Sequence, residues 1–294
     1  MTGLAGRSVH VQGVVYIVLS AFFYALTDVV SRFAGSEIPA MEKVLVRNLV
    51  VAVLSAGLVV RSGHGFRWKK KNTGWFLLRS LCGLVVSFGN IYAVDHMALA
   101  DATILHKLSP FFVLLFSLLM LGERIDRFQG LAIVAGFVGA LFVIKPGGGF
   151  TAALPAIAAV ASAVALGVVY PIVRRLRQDG EDGSFIVFFF AVVSALVALP
   201  LSIGNFVMPT AGELLFLVLS GVGNCLAQLA ASAAFARCPG REISVYDYSQ
   251  ILFAAILGYG FFRQIPDGWS VVGYVIILAT SVLLFLHNRK LARD

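Results

Sequence analysis

Run after run of about 20 apolar residues, each closed by a short charged or glycine-rich break, is what most restricts this chain. A helix needs roughly 20 apolar residues to cross the hydrocarbon core of a bilayer. Runs of that order can be placed at 11–31, 43–60, 75–95, 101–121, 129–145, 152–173, 184–203, 212–236, 244–262 and 268–287. They occupy most of the 294 residues and leave almost nothing for a soluble domain. Hydrophobic residues make up 59% of the chain and charged residues 13%, far from soluble composition. The runs are too long for barrel strands and lack strand alternation, so the spans are helical. The expectation is an all-α integral membrane protein with ten transmembrane helices.

In a soluble protein the net charge of +8 would suggest nucleic acid. Here its distribution reads as topology, with the lipid bilayer as partner and no nucleic acid. Counted alternately, the breaks holding Arg61 to Lys71, Arg124 and Arg127, Arg174 to Arg177, Arg237 and Arg241, and Arg289 to Arg293 fall on one side with Arg7. The other side has only Arg32, Lys43, Lys145 and Arg263. The positive-inside rule then puts both termini in the cytoplasm, in a bacterial-type inner membrane. The Arg61–Lys71 break is the most basic and is expected to touch anionic headgroups.

Several function classes find no support. The histidines at 10, 64, 96, 106 and 287 form no HxxxH or HExxH, and Cys82, Cys225 and Cys238 have no CxxC spacing. The expectation is therefore no metal, no cofactor and no enzyme; a membrane enzyme, the rival class, needs clustered acid, base or metal ligands. GxxxxGK is absent, which argues against ATP as the energy source. No repeated ring of carbonyls or charges suggests a channel filter.

What remains is a set of polar residues inside the spans. An ionisable group in hydrocarbon is expensive and by default marks a functional site facing a cavity or a partner. Span 1 carries Tyr24, Thr27 and Asp28, and span 2 has Arg47 and Asn48 at the same depth, where Asp28 and Arg47 can pair. Span 3 carries Arg79, Ser87 and Asn90. In span 4, His106 and Pro110 share a face beside Lys107, and the proline frees the His106 carbonyl. Span 8 has Asn224, Gln228 and Ser232 four apart, and span 9 has Tyr246, Asp247, Tyr248 and Gln250. Span 7 is apolar all round and is expected to face lipid. Small residues on spans 5 and 10 suit close helix packing, in a monomer or a homodimer.

The block ADATILHKLSPFFVLLFSLLMLGERIDRFQGLAIVAGFVGALFVIKPG closely resembles the end of an EamA unit of the drug/metabolite transporter superfamily. Its marks are a proline near the start of helix 4, the LGER helix end and a glycine-rich helix 5. SVYDYSQILFAAILGYGFFRQIPDGWSVVGYVIILATSVLLFL repeats the layout, with Gln250 near the expected proline and Arg263-Gln264 in place of Gly-Glu. The resemblance implies two inverted five-helix repeats, 1–147 and 148–294, with helices 1, 3, 4, 6, 8 and 9 around a central cavity. It also implies a secondary active transporter of a small metabolite, often an amino-acid or drug exporter. An uptake carrier for a vitamin or nucleoside-type metabolite has the same fold.

With that topology, the expected substrate-binding residues are Tyr24, Ser87, Asn90, His106, Lys107, Asn224, Gln228, Tyr246, Tyr248 and Gln250. Asp28, Arg47, Arg79 and Asp247 are the expected gating or coupling groups. This mostly neutral, hydrogen-bonding lining with both signs of charge suits a small zwitterion such as an amino acid. At 1.5 Å per residue Lys107 lies about 9 Å below the outer end, whereas Asp247 lies in the inner half. The two are expected not to pair. Lys107 would reach Asp28, Asp95 or Asp101, and Asp247 would reach Arg79 or Arg174, as two alternating layers of charge.

Overall fold

The computed structural model describes residues 2–63, 65–112, 115–116, 126–145, 149–237 and 244–291. Gly122-Glu123-Arg124 and Pro146-Gly147-Gly148 lie outside them. The described residues are helical, with no strand among them: α1 (Thr2–Phe33), α2 (Ala40–Ser62), α3 (Thr73–His96), α4 (Leu99–His106), α5 (Arg127–Ile144), α6 (Gly149–Gln178), α7 (Gly183–Ile203), α8 (Ala211–Arg237), α9 (Ser249–Phe262) and α10 (Gly268–Leu291). Among the described residues, 8 helices are long and apolar enough to cross a membrane. The exceptions are α4 and α9, the two helices that begin the repeated block.

Local chemistry sets the ends. α2 stops at Gly63, whose φ of 72° is left-handed and suits a residue without Cβ. Asp126 accepts from the Gln129 amide at 2.8 Å while Gln129 Oε1 accepts from the Asp126 amide at 3.0 Å, a capping box that starts α5. Asp182 accepts from Phe185 N at 2.9 Å to start α7, and Asp267 accepts from Ser270 N at 2.8 Å to start α10.

The most extensive helix pairings are α1 with α8, α3 with α6, α2 with α7 and α5 with α10. Without a hydrophobic driving force between helices in lipid, small residues that let backbones touch decide such pairings. A Cβ on Gly89 of α3 would lie 2.5 Å from the Ala158 carbonyl oxygen of α6. One on Gly273 of α10 would lie 2.7 Å from the Gly139 carbonyl oxygen of α5. The small-residue faces of α5 and α10 are thus occupied by each other. α7, expected to face lipid, does so on one side. It buries Phe185, Ile186, Phe190, Ala191 and Ala195 against α2 and α3, and turns Leu196 and Leu199 outward. Uniform apolarity hides which side packs, because lipid and protein interior accept the same residues.

Connections gather at two ends. At one, Asn72 Nδ2 donates to Glu181 Oε1 at 2.7 Å, Lys71 pairs with Asp179 at 3.4 Å, and His287 Nε2 meets Asp126 Oδ2 at 2.5 Å. This end carries the Arg61–Lys71 segment, Arg127, Arg175 and Arg177. At the other, Val207 N donates to Glu42 Oε2 at 3.1 Å and Lys145 pairs with Asp267. The helices therefore alternate in direction as the charge pattern requires.

Candidate functional site

The position of the site follows from how α4 ends. Pro110 has no N–H for the His106 carbonyl, and its ring crowds that carbonyl, which weakens the helix at this point. Lys107 N bonds back to Thr103 O at 3.0 Å, Leu108 N tightens to Leu105 O at 3.1 Å, and residues 107–108 form a turn before helix resumes at 109. The expected continuous span at 101–121 is therefore broken at Lys107. The expected span at 244–262 likewise opens as a 3₁₀ turn, Ser244–Tyr248, ahead of α9. These two interruptions face each other across the molecule's centre.

There Lys107 Nζ and Asp247 Oδ2 form an ion pair, with the lysine side chain 9% exposed and the aspartate 32%. This overturns the expectation that they sit at different depths, and with it the two alternating layers of charge. α4 begins at Leu99, so Lys107 lies eight residues in, about 12 Å at helical rise. A four-carbon stem adds reach, and the 3₁₀ turn rises faster per residue than an α-helix. The alternative partners are taken elsewhere. Asp95 pairs with Lys43 at 2.7 Å, Asp101 accepts from Tyr274 Oη at 2.6 Å, and Asp28 Oδ1 accepts from Asn90 Nδ2 at 2.9 Å. Among the described residues Asp28 forms no ion pair with Arg47, although both border the same space. The side chains of Arg174 and Ser232 lie outside the described ones.

That space is a cavity of about 650 Å³. From the first half of the chain it is lined by Tyr24 and Asp28 of α1, Arg47 of α2, Arg79, Ser87 and Asn90 of α3, and His106 and Lys107 at the break. The second half contributes Asn224 and Gln228 of α8 and then Asp247, Tyr248 and Gln250. Of the residues expected at the site, Tyr246 alone stands outside the lining. It is 40% exposed, because the 3₁₀ turn directs neighbouring side chains to different sides. His106 Nδ1 is 2.9 Å from Ser162 Oγ, which also lies 3.1 Å from Val86 O; when the hydroxyl donates to that carbonyl, the ring donates from Nδ1. Gln228 Nε2 donates to Asn224 Oδ1 at 2.6 Å, which ties the two cavity-lining amides together along one face of α8.

Sequence reasoning missed Ser20, Phe190, Ser281 and Asn288, which also line the cavity, as does Asn48, noted beside Arg47 but not assigned to the site. α10 was absent from the implied set of lining helices. Its signal was Ser281 and Asn288 seven apart, on one face of an otherwise apolar helix.

The cavity runs from mid-depth to Asn288 at the basic end. On the far side it is stopped by the packing of α4 on α9, where Leu99, Ile104 and Leu105 are buried and Gln264 Oε1 accepts from Leu99 N at 2.9 Å. Arg32 Nη1 donates to Met97 O at 3.1 Å beside this plug. A blind polar chamber between two facing helix breaks is the layout of a carrier.

The model of the EamA-like transporter family matches residues 11–145 and, a second time, 153–286. The chain belongs to the EamA-like transporter family. It is a multi-pass membrane transporter of a small molecule, and not an enzyme. The pseudopaline exporter CntI of Pseudomonas aeruginosa is 32% identical over 274 residues, which is 93% of this chain and 95% of the exporter. An S-adenosylmethionine uptake transporter of Rickettsia prowazekii is 24% identical over 285 residues, 96% of this chain and 95% of its own length. A solved crystal structure at 18% identity superposes with a TM-score of 0.65, over 95% of this EamA chain and 98% of the other.

Proposed function

We propose that this EamA transporter exports a small zwitterionic metabolite, an amino acid or a compound built on one, by alternating access. The observation that carries this reading is the lining of the cavity. Neutral amides and hydroxyls are interspersed with both signs of charge, in a chamber that reaches one end and stops short of the other. A cargo with both charges meets a partner for each. The volume of about 650 Å³ is within the range of pockets that enclose drug-sized ligands, and exceeds what a single amino acid needs. A conjugated amino acid therefore fits better than a free one. The names of the relatives agree in kind, since S-adenosylmethionine is by its name a methionine joined to a nucleoside.

The helix pairing supports two inverted repeats, 1–147 and 148–294, within a ten-helix architecture. Exchanging the halves turns the α1 and α8 pair into that of α6 and α3, and maps α2 with α7 and α5 with α10 onto themselves. Both termini lie in the cytoplasm of a bacterial inner membrane by the positive-inside rule. The cavity then opens inward, where an export cargo loads. Asp28, held by Asn90, is the coupling group for a proton gradient, and the Lys107–Asp247 pair is the element that opens and closes at mid-depth.

The test is flux into and out of proteoliposomes of labelled amino acids, S-adenosylmethionine, amines and nucleosides, with and without an imposed pH gradient. Saturable flux of an amino-acid compound that Lys107→Ala abolishes is the expected result. Flux confined to nucleosides or vitamins refutes the zwitterion. Uptake is the second reading, favoured by the match to S-adenosylmethionine uptake transporters over nearly the whole chain. Vesicles sorted by orientation separate the two: export requires that cargo presented at the basic face be the one accumulated.

A further inference from the structure

The charges that line the cavity do not balance. Three cations, Arg47, Arg79 and Lys107, face two acids, Asp28 and Asp247. Lys107 is held by Asp247, and Asp28 is the acid whose field acts on Arg47. Arg79 is left over. Among the described residues no carboxylate lies within ion-pair distance of it, and its Nε and Nη1 have no hydrogen-bond acceptor. The residue is 9% exposed, and its guanidinium rests on the Phe190 ring, 4.0 Å from the centroid. A cation over an aromatic face recovers part of what burial removes, but it leaves the N–H groups unmet. Asn48 Nδ2, also on the cavity wall, lacks an acceptor as well. Ser281 Oγ on the same wall is also without a partner, and its hydroxyl can donate as well as accept; Arg79 and Asn48 offer only donors, so what completes them is an acceptor, and beside a guanidinium one with negative charge.

We propose that Arg79 is the docking point for a carboxylate of the cargo, an inference that rests on the reading of this cavity as a carrier site for a zwitterion. A guanidinium presents a planar fork that matches a carboxylate with two parallel hydrogen bonds. Arg79 sits six residues into α3 from the basic end, about 9 Å along the helix, in the half of the cavity that a cytoplasmic cargo enters first. A carboxylate placed there supplies the local counter-charge that the Arg79 guanidinium lacks, and the ammonium of the same cargo falls toward the cavity's acids. A phosphate monoester with two charges would overshoot and repel Asp28 and Asp247.

The experiment is thermal unfolding of the full chain in nanodiscs against matched pairs: methionine, histidine, ornithine and S-adenosylmethionine, each beside its decarboxylated amine, with phosphoserine and phosphoethanolamine as the phosphate arm. The carboxylated members should stabilise the wild type and their amines should not. Arg79→Gln should weaken their binding by roughly 10- to 100-fold, the range for a lost charge-assisted hydrogen bond. Arg79→Lys keeps the charge without the fork, so it should fall between, and it serves if the glutamine variant does not fold. Amines that bind as tightly as their parents overturn the proposal. So do an Arg79→Gln protein that binds carboxylates as the wild type does, stabilisation by phosphoethanolamine instead, or no stabilisation by any carboxylate. Flux separates this from the parent reading. Carboxylate binding without flux refutes the carrier and leaves the site, whereas amine flux insensitive to Arg79→Gln refutes the site and leaves the carrier.

Discussion

Lys43–Asp95 and Lys107–Asp247 are the same two residue types in the same kind of contact, and their surroundings give them different uses. Lys43 and Asp95 have side chains 1% and 3% exposed, and Lys43 Nζ also reaches Ser31 O at 3.4 Å. Asp95 borders a second cavity of about 360 Å³, but the contact itself is almost wholly packed. In the other pair, Asp247 is 32% exposed to the cavity, and the pair joins two helix breaks instead of two intact helices. A sealed pair holds α2 against α3. A pair with water at one side is cheap to open and can respond to cargo.

The largest effect should come from the sealed pair. Lys43→Ala strands a buried carboxylate and should lower stability by about 3–5 kcal/mol, the usual result of removing one partner of a buried ion pair. The check is thermal unfolding in detergent or nanodiscs. Replacing both charges, Lys43→Met with Asp95→Leu, should restore most of the loss and leave flux intact. Folded but inactive double-variant protein would erase the contrast between the two pairs.

The cavity pair should show the reverse. Lys107→Ala and Asp247→Asn should reduce flux at least about tenfold, which takes roughly 1.4 kcal/mol. Their melting temperatures should fall less than that of Lys43→Ala, because water reaches Asp247. Exchanging the two residues, Lys107→Asp with Asp247→Lys, should recover part of the flux if attraction across the break is what matters. Loss of stability as deep as in Lys43→Ala would make this pair a second strut.

These contrasts were only partly written in the sequence. Apolar length and the charged breaks suffice to mark the membrane helices and their alternation, because hydrocarbon thickness and backbone hydrogen bonding leave few choices. The proline at 110 beside Lys107 pointed to an interruption, and almost all the polar residues singled out within spans border one cavity. Pairing across the halves was not legible. Treating 101–121 as one continuous helix put Lys107 too near an end, and a depth error of a few ångströms reassigns every partner. Lys43 was counted among the cations of the outer side, yet it is fully packed. Phe190 was hidden by its setting in a uniformly apolar helix, where periodicity carries no direction.

Asp28 sharpens the comparison from the acidic side, since its carboxylate is held by an amide, Asn90, and not by a lysine. Asp28→Asn keeps the shape and should change stability by less than about 1 kcal/mol, as neutral pairs of this kind contribute. Flux driven by a pH gradient should stop, while exchange of labelled for unlabelled cargo continues. If exchange stops too, Asp28 touches cargo, and coupling belongs to another group.

Lys145–Asp267, at the end opposite the basic loops, completes the series with the smallest expected effect. Both side chains are exposed, at 39% and 52%, where water and salt screen the attraction. Lys145→Ala should leave the melting temperature unchanged. Asp267→Ala should lower it slightly, because Asp267 Oδ1 also caps α10 through the Ser270 amide at 2.8 Å. The lysine and then that amide hold the Asp267 carboxyl below the ordinary carboxylate range. A depressed folded-state value means the contribution is present in full above about pH 4, the unfolded value, and fades as pH falls through the lower folded one. The gap between wild type and Asp267→Ala should therefore stay constant from pH 8 to about 5 and close only in stronger acid. A gap that instead followed ionic strength at neutral pH would mean that the lysine, and not the cap, carries the effect, and that exposure does not rank these pairs.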